Sequence, residues 1–203
     1  MKAEEKRRNI IDKGMDLFNQ HGYDRVSVND ICNAVHMTKP TLYRYIPRKE
    51  MILVEYYTEQ QVDALPKVQK LLEQGRPAAA LHQLFTTMHT TALSMGPELF
   101  RVYRNYILND NNYSNDVLNP QLDLLVQCIQ QLEEQEWIAT RQDPEKLARI
   151  LMNLNEGLNI VWTSSNGAFD LPERFQRYCR SVLNVRSTEG LGLKPITATY
   201  TDN

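Results

Sequence analysis

The stretch from Gly22 to Glu50 admits only short helices, because stop and start signals follow one another too closely for long ones. Gly22 stands where a C-terminal cap belongs, after a helical pattern that reaches His21 and places Ile10, Ile11, Gly14, Met15, Leu17 and Phe18 on one face. Ser27-Val28-Asn29-Asp30 is a capping box, in which the Ser hydroxyl and the Asp carboxylate each satisfy a backbone N–H of the other. It predicts a second helix with Val28, Ile31, Cys32 and Val35 turned inward, followed by a turn of three or four residues. Thr38 can cap a third helix, and Pro40 is tolerated in its first turn because the missing N–H has no helical partner there. Pro47 ends that helix near Tyr45. Helices this short do not hold in water alone. The first fifty residues therefore form one small three-helix unit, each helix stabilised by the other two.

Beyond it, Arg48-Lys49-Glu50 opens a longer fourth helix through Ile52, Leu53, Tyr56 and Tyr57, interrupted or bent near Pro66. Further amphipathic helices are predicted at 77–95, 97–110, 115–136, 144–164 and 171–185, separated by Gly96-Pro97, Asn109 to Ser114, Arg141 to Pro144 and Asn166 to Pro172. No alternating run is long enough for a strand, so the fold class is all-α. The domains expected are residues 1–50, residues 51–186 as a larger helical domain, and 187–203 as a mobile tail, since Gly190, Gly192, Pro195 and several Thr follow no helical period.

The net charge of −2 conceals an asymmetry. Residues 1–50 carry ten Lys/Arg against seven Asp/Glu, a net of +3, which leaves −5 for the rest. A basic end on an acidic body suits a protein that offers one surface to phosphates. Cys32, Cys128 and Cys179 are far apart, with no C-x-x-C and no His at ligand spacing, which fits a reduced cytoplasmic compartment and no metal site. The charged start and the lack of a run of roughly 18 apolar residues argue against export and membrane insertion.

The third helix is where the chemistry concentrates. In Thr38-Lys39-Pro40-Thr41-Leu42-Tyr43-Arg44-Tyr45, helical spacing assigns Leu42 and Ile46 to one face and leaves Lys39, Pro40, Thr41, Tyr43, Arg44 and Tyr45 outward. A helix of about two turns fits the DNA major groove, whose base edges carry a distinct donor and acceptor code.

These residues resemble the DNA-binding domain of TetR-type regulators. The resemblance rests on Leu17-Phe18 with Gly22-Tyr23, on Ser27-Val28 and Asp30-Ile31, and on Pro40-Thr41-Leu42-Tyr43 with Lys49-Glu50, about forty residues in one register. It implies a helix-turn-helix in which Tyr43 and Lys49 bind phosphate, and Ser27 and Thr38 add hydroxyl contacts or cap their helices. Lys39, Pro40 and Thr41 would read bases, Tyr45 would serve either purpose, and Arg44 would pack or reach the backbone. Two positions depart from the family pattern: His36 occupies a turn position that is usually Gly, and Gly14 stands where helix one often has Ala.

The same resemblance implies a ligand pocket in the larger domain and a four-helix bundle formed with a second subunit by the last two helices. Leu151, Leu154, Leu158 and Val161, with Gly157 permitting close approach, and Phe175, Tyr178, Cys179 and Val182 are the candidates for the dimer interface; an intramolecular core is the alternative for some of them. Candidate ligand contacts are Phe85, Met88, His89, Tyr103, Tyr106, Ile107, Cys128, Asn155, Asn159 and Trp162, which mix aromatic surface with a few polar groups. Ordinary core packing is open for each.

The function expected is a homodimeric regulator of transcription, a repressor that binds double-stranded DNA at a palindrome and is released by a small molecule of unread chemistry. No cofactor, no catalytic residue and no membrane partner is expected, since His21, His36, His82 and His89 have no nucleophile or base motif beside them. An architectural dimer that uses DNA contact for localisation is the alternative within the same fold, and an enzyme is the remote one outside that role.

Overall fold

In the computed structural model, residues 3–109, 118–140 and 142–186 are described, and the expected C-terminal tail lies outside them. The described residues form eight helices: α1 (Ala3–His21), α2 (Val28–Ala34), α3 (Lys39–Tyr45), α4 (Met51–Glu73), α5 (Pro77–Asn109), α6 (Leu118–Glu134), α7 (Pro144–Ser164) and α8 (Leu171–Leu183). Among the described residues, extended pairing is confined to one isolated bridge between Ile138 and Val185, so the fold is all-α.

Local chemistry sets the boundaries. The Ser27 hydroxyl accepts from the Asp30 N–H at 3.3 Å while the Asp30 carboxylate accepts from the Ser27 N–H at 2.8 Å, which completes the capping box. Thr38 occupies the N-cap of α3 without a capping hydrogen bond; its hydroxyl instead lies 3.0 Å from that of Thr41. Asp143 caps α7 by accepting from the Glu145 and Lys146 N–H groups, and Asp170 caps α8 by accepting from the Glu173 N–H. Pro66 does not interrupt α4, which runs through it. The two helices expected on either side of Gly96-Pro97 are the two arms of α5, joined by a kink at Gly96 with φ 72° and ψ 166°. That geometry is open to glycine and strained for other residues.

Contacts divide the chain into two units, residues 1–62 with 91–114 and residues 63–90 with 115–203. The sequence reading places the boundary after residue 50; by contacts the first unit reaches residue 62 and also takes α5 from residue 91 onward. Both α4 and α5 therefore pass from one unit into the other.

The first unit is built on Ile10, Ile11, Phe18, Ile31, Leu42, Ile46, Ile52 and Leu53, each essentially inaccessible to water. Burial of each such side chain stabilises by roughly 1.5–3 kcal/mol. Gly14 explains its own place here, since a Cβ on it would lie 2.7 Å from Ile52 Cδ1. Arg7 pairs with Glu55, and Arg8 lies 3.9 Å from Glu59, tying α1 to α4. From residue 91 onward α5 joins α4 through Gln61 to Thr91 at 3.2 Å, the Tyr106 hydroxyl to Met51 sulfur at 3.3 Å, and Tyr103 stacked on Tyr57 at 4.6 Å.

In the second unit, α7 packs on α6 and α8 around Leu84, Leu125, Ile129, Leu132, Leu147, Leu151, Phe175 and Leu183. Among the described residues no helix is long and apolar enough to cross a membrane, and no group of three His, Cys, Asp or Glu could hold a metal ion.

Candidate nucleic-acid interface and effector region

The short third helix is anchored by Leu42 and Ile46, both buried, and so its remaining side chains are turned away from the core. Lys39, Pro40, Tyr43 and Arg44 are exposed, and Thr41 and Tyr45 are half-buried, which agrees with the outward set read from helical spacing. The Arg44 guanidinium lies 5.3 Å from the centre of the Tyr45 ring. His36 adopts the left-handed conformation at φ 53°, so the turn leading into α3 is made without the glycine common at that position. The Met37 N–H donates to the Cys32 carbonyl at 3.0 Å and closes the turn.

Lys49 is engaged differently from its expected phosphate role. Its ammonium donates to the Tyr23 carbonyl at 2.9 Å and the Val26 carbonyl at 3.0 Å, and sits 3.8 Å from the centre of the Tyr23 ring. Two of its three donors are thus spent on the loop between α1 and α2, and the aromatic face takes up further charge. Partial burial lowers its pKa, against the raising influence of Glu50 and Asp24. Tyr23 is buried against Phe18, and desolvation with the Glu50 carboxylate nearby raises its phenol well above the ordinary range. Lys49 therefore clamps the start of α4 to the base of the helix-turn-helix. Arg48, beside it, is exposed, and its sequence context marks it only as part of the start of α4.

Ser27 caps α2 with its hydroxyl, which also donates to Asp30 at 2.6 Å; these hydrogen bonds lower the Asp30 pKa. Thr38 and Thr41, which make no cap, keep exposed or half-buried hydroxyls at the N-terminal end of α3.

The candidate ligand residues do not all come together. His89 and Asn155 meet inside the second unit, with His89 Nε2 2.9 Å from Asn155 Oδ1, and the Asn155 amide faces Met88 sulfur at 3.8 Å. Phe85 and His89 also contact Phe175, with ring centres at 4.2 and 5.0 Å. Asn159, Trp162 and Cys128 are buried in that unit, and Asn159 Oδ1 has no hydrogen-bond partner among the described residues. Tyr103, Tyr106 and Ile107 belong instead to the first unit, where Tyr103 packs with Tyr57 and Phe100. Aromatic content marks the two tyrosines as pocket residues; Tyr57 and Met51, which they contact, are in α4. Burial pushes the His89 imidazole down to about 4 and the Cys128 and Cys179 thiols up to about 12.

The dimer-interface candidates divide as well. Leu151, Leu158, Phe175 and Cys179 are buried within the chain itself and are core residues, a correction to their expected role. Val161 and Tyr178 are exposed, and Leu154 and Val182 are half-buried. Ile150 and Ile160, absent from the sequence reading, are exposed on the same helix as Val161. The heptad-like stripe was legible, but α7 is apolar on more than one side, so periodicity alone does not say which side meets its own core. Gly157 is exposed, and no atom of the chain lies within 4 Å of where its Cβ would be.

Comparison with known proteins agrees with this geometry. Residues 10–56 match the family described as bacterial regulatory proteins, tetR family, a span that runs from α1 into α4. The chain is 20% identical over 195 residues to the probable acrEF/envCD operon repressor of Escherichia coli strain K12, covering 88% of this chain and 86% of that protein. Its fold is similar to Thermus thermophilus FadR, a TetR-family transcriptional repressor in complex with lauroyl-CoA, at a TM-score of 0.68 and 23% identity, over 96% of this chain and 100% of that one. It is also similar to SmeT of Stenotrophomonas maltophilia in complex with triclosan, at a TM-score of 0.62 and 16% identity, over 98% and 99% of the two chains. Residues 10–56 thus carry a helix-turn-helix domain of the kind found in the tetR family of bacterial regulatory proteins.

Proposed function

We propose that this chain is a ligand-responsive transcriptional repressor that binds a palindromic operator as a homodimer and leaves it when a small molecule binds the second unit. The observation that carries this reading is α3 itself: two buried anchors hold a two-turn helix whose Lys39, Pro40, Thr41, Tyr43, Arg44 and Tyr45 are accessible. Lys39, Pro40 and Thr41, at its N-terminal end, read base edges, and Tyr43 with the exposed Arg48 contacts phosphates. Thr38 adds a hydroxyl, Ser27 acts as a cap, and Lys49 positions the domain through the carbonyls of Tyr23 and Val26.

One short helix reads too few bases for selectivity, so two copies related by a two-fold axis are needed. The outer faces of α7 and α8 serve that purpose through Ile150, Leu154, Val161, Tyr178 and Val182, with Gly157 allowing close approach. The fold neighbours named above include complexes with an acyl-CoA and with triclosan, which supports an effector with an apolar part. Such an effector shifts the operator equilibrium only by its preference for one conformation of the protein. Because α4 and α5 both run through the two units, that preference reaches the helix-turn-helix through two helices.

The test is a mobility shift on an operator selected from genomic fragments, with Lys39→Ala and Tyr43→Ala as variants. Tyr43→Ala is expected to weaken binding to every sequence, whereas Lys39→Ala changes the base preferred at one position of each half-site. Equal loss on all sequences from Lys39→Ala would remove that residue from the reading role.

A further inference from the structure

The second unit contains a slot between the first arm of α5 and α8 that no function above requires in detail. Its walls are apolar at Leu81, Phe85, Phe175 and Cys179, and its rim carries His82, Thr86 and Gln176. His89 also lines it. No Lys, Arg, Asp or Glu borders the slot. Its free volume of about 20 Å³ holds roughly one water molecule. Three rings crowd it: Phe85 and Phe175 at 4.2 Å between centres, Phe175 edge-on to His89 at 5.0 Å, and Phe85 with His89 at 6.3 Å.

His89 is a buried polar group in a defined protonation pattern. Asn155 Oδ1, 2.9 Å away, can only accept, so Nε2 carries the proton and donates. The amide end of Asn155 faces the Met88 sulfur, which fixes this orientation of the side chain. In the neutral ring Nδ1 is then a bare acceptor, and no protein donor reaches it among the described residues. Burial keeps the ring neutral at physiological pH.

Resting on the regulatory reading above, we propose that this slot is the effector site and takes a small neutral arene carrying one hydrogen-bond donor, a phenol in the simplest case, whose hydroxyl donates to His89 Nδ1. The aromatic walls suit a planar ring, and the lone acceptor selects a donor. An ionised ligand would bury its charge against uncharged walls with nothing to compensate it. Room for one water is too little for an arene, so entry displaces Phe175 and with it α8. The same helix carries Tyr178 and Val182 on its outer side, and ligand entry therefore acts on the face assigned above to the second subunit.

Calorimetric titration of the full chain with 4-chlorophenol, 4-chloroanisole and 4-chlorobenzoate tests this. One 4-chlorophenol is expected per chain, bound about tenfold more tightly than 4-chloroanisole, which lacks the donor, with no binding of 4-chlorobenzoate. His89→Phe keeps the ring and removes the acceptor, and is expected to abolish the preference for the phenol. Thr86→Trp closes the slot from its rim and is expected to abolish binding of both neutral compounds, whether or not the His89 variant folds. Absence of saturable 4-chlorophenol binding, equal affinity for the phenol and the anisole, or binding unchanged in Thr86→Trp would overturn the proposal. Operator binding measured alongside separates the two readings. No phenol binding by a chain that still binds its operator overturns only the site, whereas slot binding with unchanged operator affinity overturns its role as the effector site.

Discussion

His89 sits in an apolar interior, its ring neutral and its Nε2 given to Asn155. Its folded pKa of about 4 lies below the ordinary 6.5, with desolvation as the main cause, so below pH 6.5 the unfolded chain binds a proton that the folded chain refuses. The stabilising contribution is fully present above about pH 6.5 and is lost as the pH falls toward 4. Between pH 8 and pH 5 this amounts to about 2 kcal/mol. Urea unfolding at the two pH values should show that loss in the wild type and a smaller one in His89→Gln; identical pH dependence would mean that the ring is solvated in the native state. Lys49 makes a second prediction at this scale. Lys49→Ala removes two charge-assisted hydrogen bonds to carbonyls and should cost about 1–3 kcal/mol of stability. The salt dependence of DNA binding should stay unchanged, where a phosphate contact would reduce its slope by about one. A third concerns His36, whose left-handed backbone costs about 1 kcal/mol that glycine avoids. His36→Gly should therefore raise the thermal midpoint of unfolding, and a lowered midpoint would point to a packing role for the exposed imidazole.

At the scale of elements, the outer sides of α7 and α8 carry the dimer proposal. Ile150→Glu with Val161→Glu changes two exposed residues and leaves the core residues Leu151 and Leu158 in place, so the chain should fold and sediment as a monomer with much weaker operator binding. A double variant that remained dimeric would move the interface elsewhere. The helices of the first fifty residues were legible because their ends are written in local chemistry: the box at Ser27 and Asp30, the stop at Pro47, the cap at Gly22. The outward set of α3 was legible for a related reason, as Leu42 and Ile46 are its only large aliphatic anchors. In the second unit a different physics applies. Leu151 and Ile150 are adjacent and both apolar, and a rotation of about 100° separates core from surface. Nothing local to either residue states which way the helix is turned. The stacking of Tyr103 on Tyr57 was illegible for the same reason, because the two lie on helices distant in sequence. The commitment of Lys49 to carbonyls of the α1–α2 loop is likewise a tertiary fact, invisible to spacing.

For the molecule as a whole, the central claim is that two copies of α3 read one palindrome and that this is the protein's work. Net charge divides in the sense the claim needs, basic in the first fifty residues and acidic beyond. Two helices, α4 and α5, pass through both contact units, and the kink at Gly96 gives α5 its change of direction within the first of them. The measurement that bears most directly on the claim is selection of genomic fragments by the purified chain at physiological salt, followed by the stoichiometry of the complex on the best fragment. The account predicts enrichment of a palindrome with half-sites about one helical turn, roughly 34–36 Å, or a multiple of it apart, bound by two chains or a multiple of two. Enrichment of no sequence over random fragments, or a complex of one chain with an asymmetric site, would contradict it.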